Sequence, residues 1–338
     1  MRREKKEILI LGGAGVLGSL LAHRLSEFHK ITVVDIVRPY EAWRLHENRK
    51  NSIINIHDNV YKITLTNGKK VDYIWSYAEN VSINYDIVID AAIGNADRPM
   101  GLYSSKEVAM ANLSVPLSIY KKYKDPTKYN REKGGIIIYP SSFNSMYGHS
   151  EIKKDKLPDP SSLYGWTKAA AELLYRSLAR EKNAKIVITR VGSAFGPRGR
   201  SDELPHRLII DMLNNKDTIH IMSPYSKRLW TYAEDIAEFY EKLIDNLEVK
   251  EGEMKVYHVA GNKHPGAITN MELLYTIAEI VGWNGAIDER PYEPGEIVNN
   301  RPIDFEYETD ITPKYTLMEG LEKTVEWFKQ HKQYYAMG

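Results

Sequence analysis

The stretch ILILGGAGVLGSLLAHRL, Ile8 to Leu25, constrains this chain more than any other part of it. An apolar run leads into Gly12, Gly15 and Gly18, and the glycines lead into an amphipathic run. ITVVDIVRP follows, a second β-branched segment carrying an acid, Asp35. Strand, spaced glycines, helix, strand, acid is the order of a dinucleotide-binding βα unit, and each part has a physical job. Gly12 permits the tight turn out of the strand. Gly15 lets backbone approach a pyrophosphate, and Gly18 lets the helix pack close to the sheet. The helix start at Val16 and Leu17 offers N–H groups and partial positive charge to phosphates. Asp35, 17 residues after Gly18, can accept both hydroxyls of an adenosine ribose and repels a 2′-phosphate, so NAD is expected over NADP. The basic start and apolar run also suit a secretory leader, but removing them would leave Ile31 to Val37 without a partner strand.

Composition excludes several classes. With 338 residues, 43% apolar and 27% charged, the chain can bury a large core as one or two domains. No apolar run reaches the roughly 18 residues of a membrane span, and a cytoplasmic protein is expected. A net charge of +1 advertises no polyanion-binding field, so nucleic acid is not an expected partner. There is no cysteine, and His149, His206 and His258 lack metal-ligand spacing, so no metal site is expected.

Further apolar runs at YDIVIDAAIG (85–94), IIIYPSS within 134–148 and KIVITRV read as buried parallel strands. KEVAMANLSVPLSIYKKY reads as a helix despite Pro116, and LYGWTKAAAELLYRSLAREKN as a strong one. NGKK (67–70) looks like a hairpin turn between KITL and VDYIW. The alternation predicts an α/β Rossmann-type fold, a doubly wound parallel sheet with a smaller C-terminal α/β substrate domain. The expected division is 1–192 for the dinucleotide-binding domain and 193–338 for the substrate domain, with a segment near 229–260 returning to the first.

Tyr164 and Lys168 stand four apart in YGWTK, on one helical face. A phenol titrates near 10, too high for a base at neutral pH. A nearby ammonium and a bound nicotinamide cation would both favour the phenolate, and a depression of about 3 units needs roughly 4 kcal/mol. Tyr164 could then take a proton from a substrate hydroxyl as hydride leaves to NAD.

These features together resemble the extended short-chain dehydrogenase/reductase family, in its NAD-dependent nucleotide-sugar epimerase/dehydratase branch, close to UDP-glucose 4-epimerases. GGAGVLG, Asp35, the DAAIG strand end, Asn112, PSSFNSMYG, LYGWTK, RVGSAFGP, LPHRL, KRLWTYAEDIA and RPIDF carry the resemblance nearly end to end. It implies Tyr164 as acid/base, Lys168 on the nicotinamide ribose, Ala91 and Ala92 beside the cofactor, and a homodimer. It also implies an assisting hydroxyl five residues before Gly148, where this chain has Phe143. An inserted residue would bring in Ser142, with Ser141 as the alternative. Dehydratases of the branch carry Asp-Glu next; Asn144 and Ser145 stand here and cannot ionise, which disfavours dehydration. Asn144, Ser193 (where the family has Asn), Arg228 and Arg301 are the implied substrate contacts, the arginines clamping a diphosphate.

The resemblance thus implies 4-epimerisation of a nucleotide sugar through a transient keto-sugar. The alternatives are a net dehydrogenase like L-threonine dehydrogenase, a nucleotide-sugar decarboxylase or a sulfoquinovose-type synthase. Retained arginines argue against a small amino-acid substrate. Retained Tyr164, Lys168 and Asp35 argue against a non-enzymatic regulator.

Overall fold

The structure, a computed structural model, describes residues 4–93, 105–124, 135–263, 266–290 and 307–335. Its first half runs β1 (Glu7–Leu11), α1 (Val16–Leu25), β2 (Lys30–Asp35), the short α2 (Trp43–His46), β3 (Ile53–His57), β4 (Val60–Thr64), β5 (Lys70–Trp75), β6 (Ile87–Asp90), α3 (Ser105–Lys124), β7 (Ile136–Ser142), α4 (Leu163–Lys182) and β8 (Lys185–Val191). Then come β9 (Ser193–Phe195), α5 (Leu204–Leu213), β10 (Thr218–Met222), β11 (Lys227–Arg228), β12 (Trp230–Tyr232), α6 (Ala233–Asp245), β13 (Met254–Val259), β14 (Ile268–Thr269), α7 (Asn270–Val281), β15 (Ala286–Arg290) and α8 (Leu317–Gln330).

One nine-stranded sheet in the order β13-β8-β7-β6-β1-β2-β5-β4-β3 organises the molecule. The seven strands from β13 to β5 are parallel; β4 and β3 continue from β5 as an antiparallel meander at one edge. The hairpin expected around NGKK is the β4–β5 turn, with Gly68 at φ +82°. Alternation along each strand divides the core. Ile8, Ile10, Val33, Ile87 and Ile89 face one layer, with α1 and residues of α6 (Ile236, Tyr240, Ile244). Leu9, Leu11, Val34, Val88 and Ile137 face the other, against α3 and α4. Both faces are covered, which is why these strands read as continuous apolar runs.

The order of chain travel reverses between β1 and β6. In such sheets the cleft at the strands' carboxyl ends there is the ligand site. β13 pairs with β8, so the chain returns to the main sheet after 228. A separate core forms from α5, α7 and α8 with β10 and β15, and includes Leu208, Ile219, Leu274, Leu321 and Phe328.

Candidate active site

The glycine turn has the geometry its spacing predicts. Gly12 has φ +74°, and a β-carbon on it would lie 2.5 Å from the Ala92 Cα. One on Gly18 would lie 2.3 Å from the Gly12 carbonyl oxygen, so only glycine lets α1 sit this close to the turn. At Gly15 such a carbon would press on the Gly12 carbonyl oxygen at 3.2 Å, a tighter approach than side chains ordinarily make. Val16 and Leu17 open α1, where helix geometry leaves amide donors without intrahelical acceptors. Gly13 was not singled out by the motif, yet its β-carbon would strike Val33 at 2.5 Å. Asp35 ends β2 and accepts from the amides of Ala14 (2.9 Å) and Val37 (3.0 Å), which fix its carboxylate beside the turn. Burial pushes that carboxyl up while these amides pull it down. A tight turn that only glycines allow, an N-terminal helix start and a pinned carboxylate fit a dinucleotide with an unmodified adenosine ribose.

Across the cleft, β7 delivers three consecutive residues with different partners. Pro140 offers its carbonyl to Lys168 Nζ at 3.0 Å. Ser141 turns into the core and donates to Glu172. Ser142 is buried beside Tyr164, and its hydroxyl pulls that phenol down. The Ser142 Oγ also accepts from the Asn144 amide and Nδ2, both at 3.2 Å. Phe143 begins a single 3₁₀ turn, Phe143–Met146, between Ser142 and Gly148. Its buried ring stacks on Tyr307 at 5.4 Å. Ser145 is turned inward, donating to the Ser142 carbonyl and to Glu172. Asn144 keeps a buried Oδ1 without a hydrogen-bond partner.

Helix α4 is capped by Ser162, whose Oγ accepts from the Gly165 amide at 3.0 Å. Gly165 is required there, since a β-carbon would lie 2.3 Å from the Asn144 carbonyl oxygen. This close approach brings Tyr164 to Ser142. Asn112 of α3 donates to Thr167 at 3.0 Å, tying the two helices beside Lys168.

The electrostatics depart from the sequence expectation. Burial, and then the Glu203 carboxylate, hold the Tyr164 phenol above its ordinary value, against the pull of Arg200 and the Ser142 hydrogen bond. The Lys168 ammonium is turned to Pro140 and stands 6.0 Å from the Tyr164 ring centre. Burial draws Lys168 itself down to about 8, with Asp90 and Glu172 pulling upward.

Among the residues expected to hold substrate, Ser193 and Arg228 converge on Tyr147. Its side chain hydrogen-bonds with Ser193, and the Arg228 guanidinium lies 5.8 Å from its ring centre. Tyr147 had no sequence signal. Arg301 lies outside the described residues. Glu172, Arg190 and Tyr139 were also missed, although Glu172 stands one turn after Lys168. His206 and His258 are buried and bonded at both ring nitrogens, and His149 bonds the Leu157 carbonyl. Among the described residues no group of three His, Asp or Glu could hold a metal, and no helix is long and apolar enough to cross a membrane.

Comparison with known proteins agrees with this architecture. Residues 8–260 match the model of the NAD dependent epimerase/dehydratase family. Protein CapI of Staphylococcus aureus is 24% identical over 347 residues, covering 96% of this chain and 99% of that protein. A UDP-glucose 4-epimerase of Thermotoga maritima superposes with a TM-score of 0.73 at 20% identity, covering 96% of this chain and 99% of the other. A dTDP-glucose 4,6-dehydratase of Bacillus anthracis does so at 0.71 and 18% identity, covering 97% and 98%. Epimerases and dehydratases thus lie at similar distances. The chain belongs to the NAD-dependent epimerase/dehydratase family of enzymes, within the extended short-chain dehydrogenase/reductases.

Proposed function

We propose that this enzyme is a nucleotide-sugar epimerase, working at C4 of the sugar, with NAD retained. One observation carries the choice within the family. Ser142 stands beside Tyr164, while the turn that follows it, Phe143–Met146, offers only Asn144 and an inward-turned Ser145 as polar side chains. The first cannot ionise and the second points away, so no carboxyl from this turn can remove a carbon-bound proton or expel water. What remains is reversible proton and hydride exchange at one carbinol.

In this reading the chain's own residues position the sugar and its proton, and NAD, when bound, would supply reversible hydride exchange at the sugar carbon. Tyr164 takes the hydroxyl proton as a phenolate, the form that the charge of a bound nicotinamide would favour against burial, and gives it back. Ser142 shares that proton and fixes the sugar oxygen, held in turn by Asn144. Lys168 holds the nicotinamide ribose. Gly12, Gly15, Val16, Leu17 and Gly18 cradle the pyrophosphate, Asp35 takes the adenosine ribose, and Ala91 and Ala92 border the cofactor. The Asn144 Oδ1 takes a sugar hydroxyl, and Ser193 and Arg228, with Arg301, take the diphosphate.

The same reading divides the chain into 1–192 for the dinucleotide and 193–338 for the substrate, with a segment near 229–260 returning to the first. A homodimer is part of the same reading. Met110 and Leu117 on α3, and Trp166 and Leu173 on α4, are exposed at i, i+7 spacing on helices that pack side by side. That gives one apolar face for a second copy.

The test is to incubate the purified enzyme with UDP-, dTDP- and GDP-hexoses and follow the sugar by NMR. A 4-epimer formed without net NADH supports the proposal. Stoichiometric NADH release would replace it with a dehydrogenase, and a 4-keto-6-deoxy product with a dehydratase.

A further inference from the structure

Asp90 closes β6 at the centre of the parallel sheet, opposite Leu11 and hence one residue from the glycine turn. It is fully buried. Its Oδ2 accepts from the Tyr175 hydroxyl at 2.6 Å, and its Oδ1 has no hydrogen-bond partner. Tyr175 stands seven residues after Lys168, two turns along the same face of α4. Tyr139 of β7 fills the gap: its ring centre is 5.1 Å from that of Tyr175 and 4.8 Å from Lys168 Nζ. Lysine, two phenols packed at a tilt and carboxylate form one continuous buried column.

A carboxylate withdrawn from water needs compensation, since the effective penalty is several kcal/mol per ion. The charged groups packed around this column are few. From α4 come Lys168 and Glu172; from β8, Arg190; from β6, Asp90. The other titratable groups are the phenols of Tyr139, Tyr164, Tyr175 and, from α3, Tyr123. Glu172 is committed to Arg190, with Oε2 at 2.9 Å from Nη2. Two buried cations and two buried anions balance only if Asp90 answers Lys168.

We propose that Asp90 is a positioning residue for Lys168, the buried counter-charge that keeps its ammonium protonated under the dinucleotide cleft. The electrostatics agree in both directions. Asp90 is first among the charges that pull Lys168 up against burial, and Lys168 is among the groups that pull Asp90 down, although burial still leaves that carboxyl at about 6. Tyr175 and the Ala92 amide hold the carboxylate in place, and Lys168 acts on it through space. The consequence for catalysis rests on the proposed role of Lys168; the charge coupling does not.

Asp90→Asn keeps the shape and an acceptor for Tyr175 while removing the charge. The full chain, labelled with ¹³C at lysine Cε, is titrated by NMR, with Lys168 assigned by the signal lost in Lys168→Met. The Lys168 midpoint should fall by at least about one unit in Asp90→Asn, a tenfold change in acid constant. An unchanged midpoint would overturn the proposal. The coupling is reciprocal, so in Lys168→Met the Asp90 carboxyl carbon should titrate higher by a similar amount. That measurement decides the matter even if Asp90→Asn does not fold, and an unmoved carboxyl would overturn it. NAD affinity is then compared in the pH window between the two Lys168 midpoints. A lowered midpoint with unchanged affinity would uphold the Asp90 coupling while removing the ribose role of Lys168.

Discussion

The Lys168 ammonium lies 3.0 Å from the carbonyl oxygen of Pro140, two residues before Ser142 on the same strand. This bond fixes the strand end that carries the assisting hydroxyl to the helix that carries Tyr164. It also commits one of the three lysine donors to the protein and leaves two for a ligand. Lys168→Met should therefore disturb two things at once. NAD affinity and turnover should fall together, each by tenfold or more, since a charged hydrogen bond contributes on the order of 1.5–3 kcal/mol. Calorimetry with NAD and steady-state kinetics measure the pair; loss of one alone would separate the roles.

Asp35 sets the choice of dinucleotide. Its carboxylate is held by two backbone amides and cannot swing away without breaking both. NAD should bind more tightly than NADP in calorimetry, and Asp35→Ser should narrow the gap. Equal affinities in the wild type would remove this assignment.

The two serines of β7 should separate cleanly. Ser142→Ala should slow hydride transfer with NAD affinity nearly intact, because its hydroxyl faces Tyr164. Ser141→Ala should act on stability, by about 1–3 kcal/mol, because it leaves the buried Glu172–Arg190 pair short of a donor. Stopped-flow NADH absorbance and urea denaturation give the two readouts. The reverse ranking would exchange their roles.

Arg228→Ala should weaken a nucleoside diphosphate by roughly 10- to 150-fold, from on the order of 1.5–3 kcal/mol for a charged hydrogen bond, and leave NAD binding alone. Competition by UDP, dTDP and GDP measures it. Failure of all three to bind the wild type would remove the nucleotide-sugar assignment.

Acid should destabilise the fold through buried histidines. Burial lowers His206 and His258 from 6.5 to about 4. Between those values the unfolded chain binds more protons than the folded one, so stability is full above 6.5 and is lost as the pH falls toward 4. Moving from pH 7 to pH 5 should cost about 2 kcal/mol for each of the two. Urea midpoints at both pH values check this, and His206→Asn should flatten the slope if it folds.

The doubly wound sheet was legible because the buried strands are continuous apolar runs, and the glycine turn because its spacing has few other uses. Residues 36–84 were harder. β3 to β5 form an edge meander rather than a crossover, and only the NGKK turn gave a local signal. Ser142 could be named only by assuming an inserted residue, and a 3₁₀ turn, Phe143–Met146, follows it. Tyr147 and Asp90 act through spatial neighbours far off in sequence, and no spacing rule reaches such pairs. The phenol's environment was misjudged for a related reason. Four-residue spacing puts Lys168 on the same face as Tyr164 but does not say where its ammonium points.

The central claim is that Tyr164 moves the substrate proton, and Tyr164→Phe tests it most directly. The substitution keeps the ring and removes only the hydroxyl that meets Ser142. NAD affinity by calorimetry and the melting transition should stay near wild type, while single-turnover hydride transfer from the true sugar nucleotide should fall by about 10² or more. Near-wild-type hydride transfer in Tyr164→Phe would contradict the account and leave the Tyr164–Lys168 pair with a structural role alone.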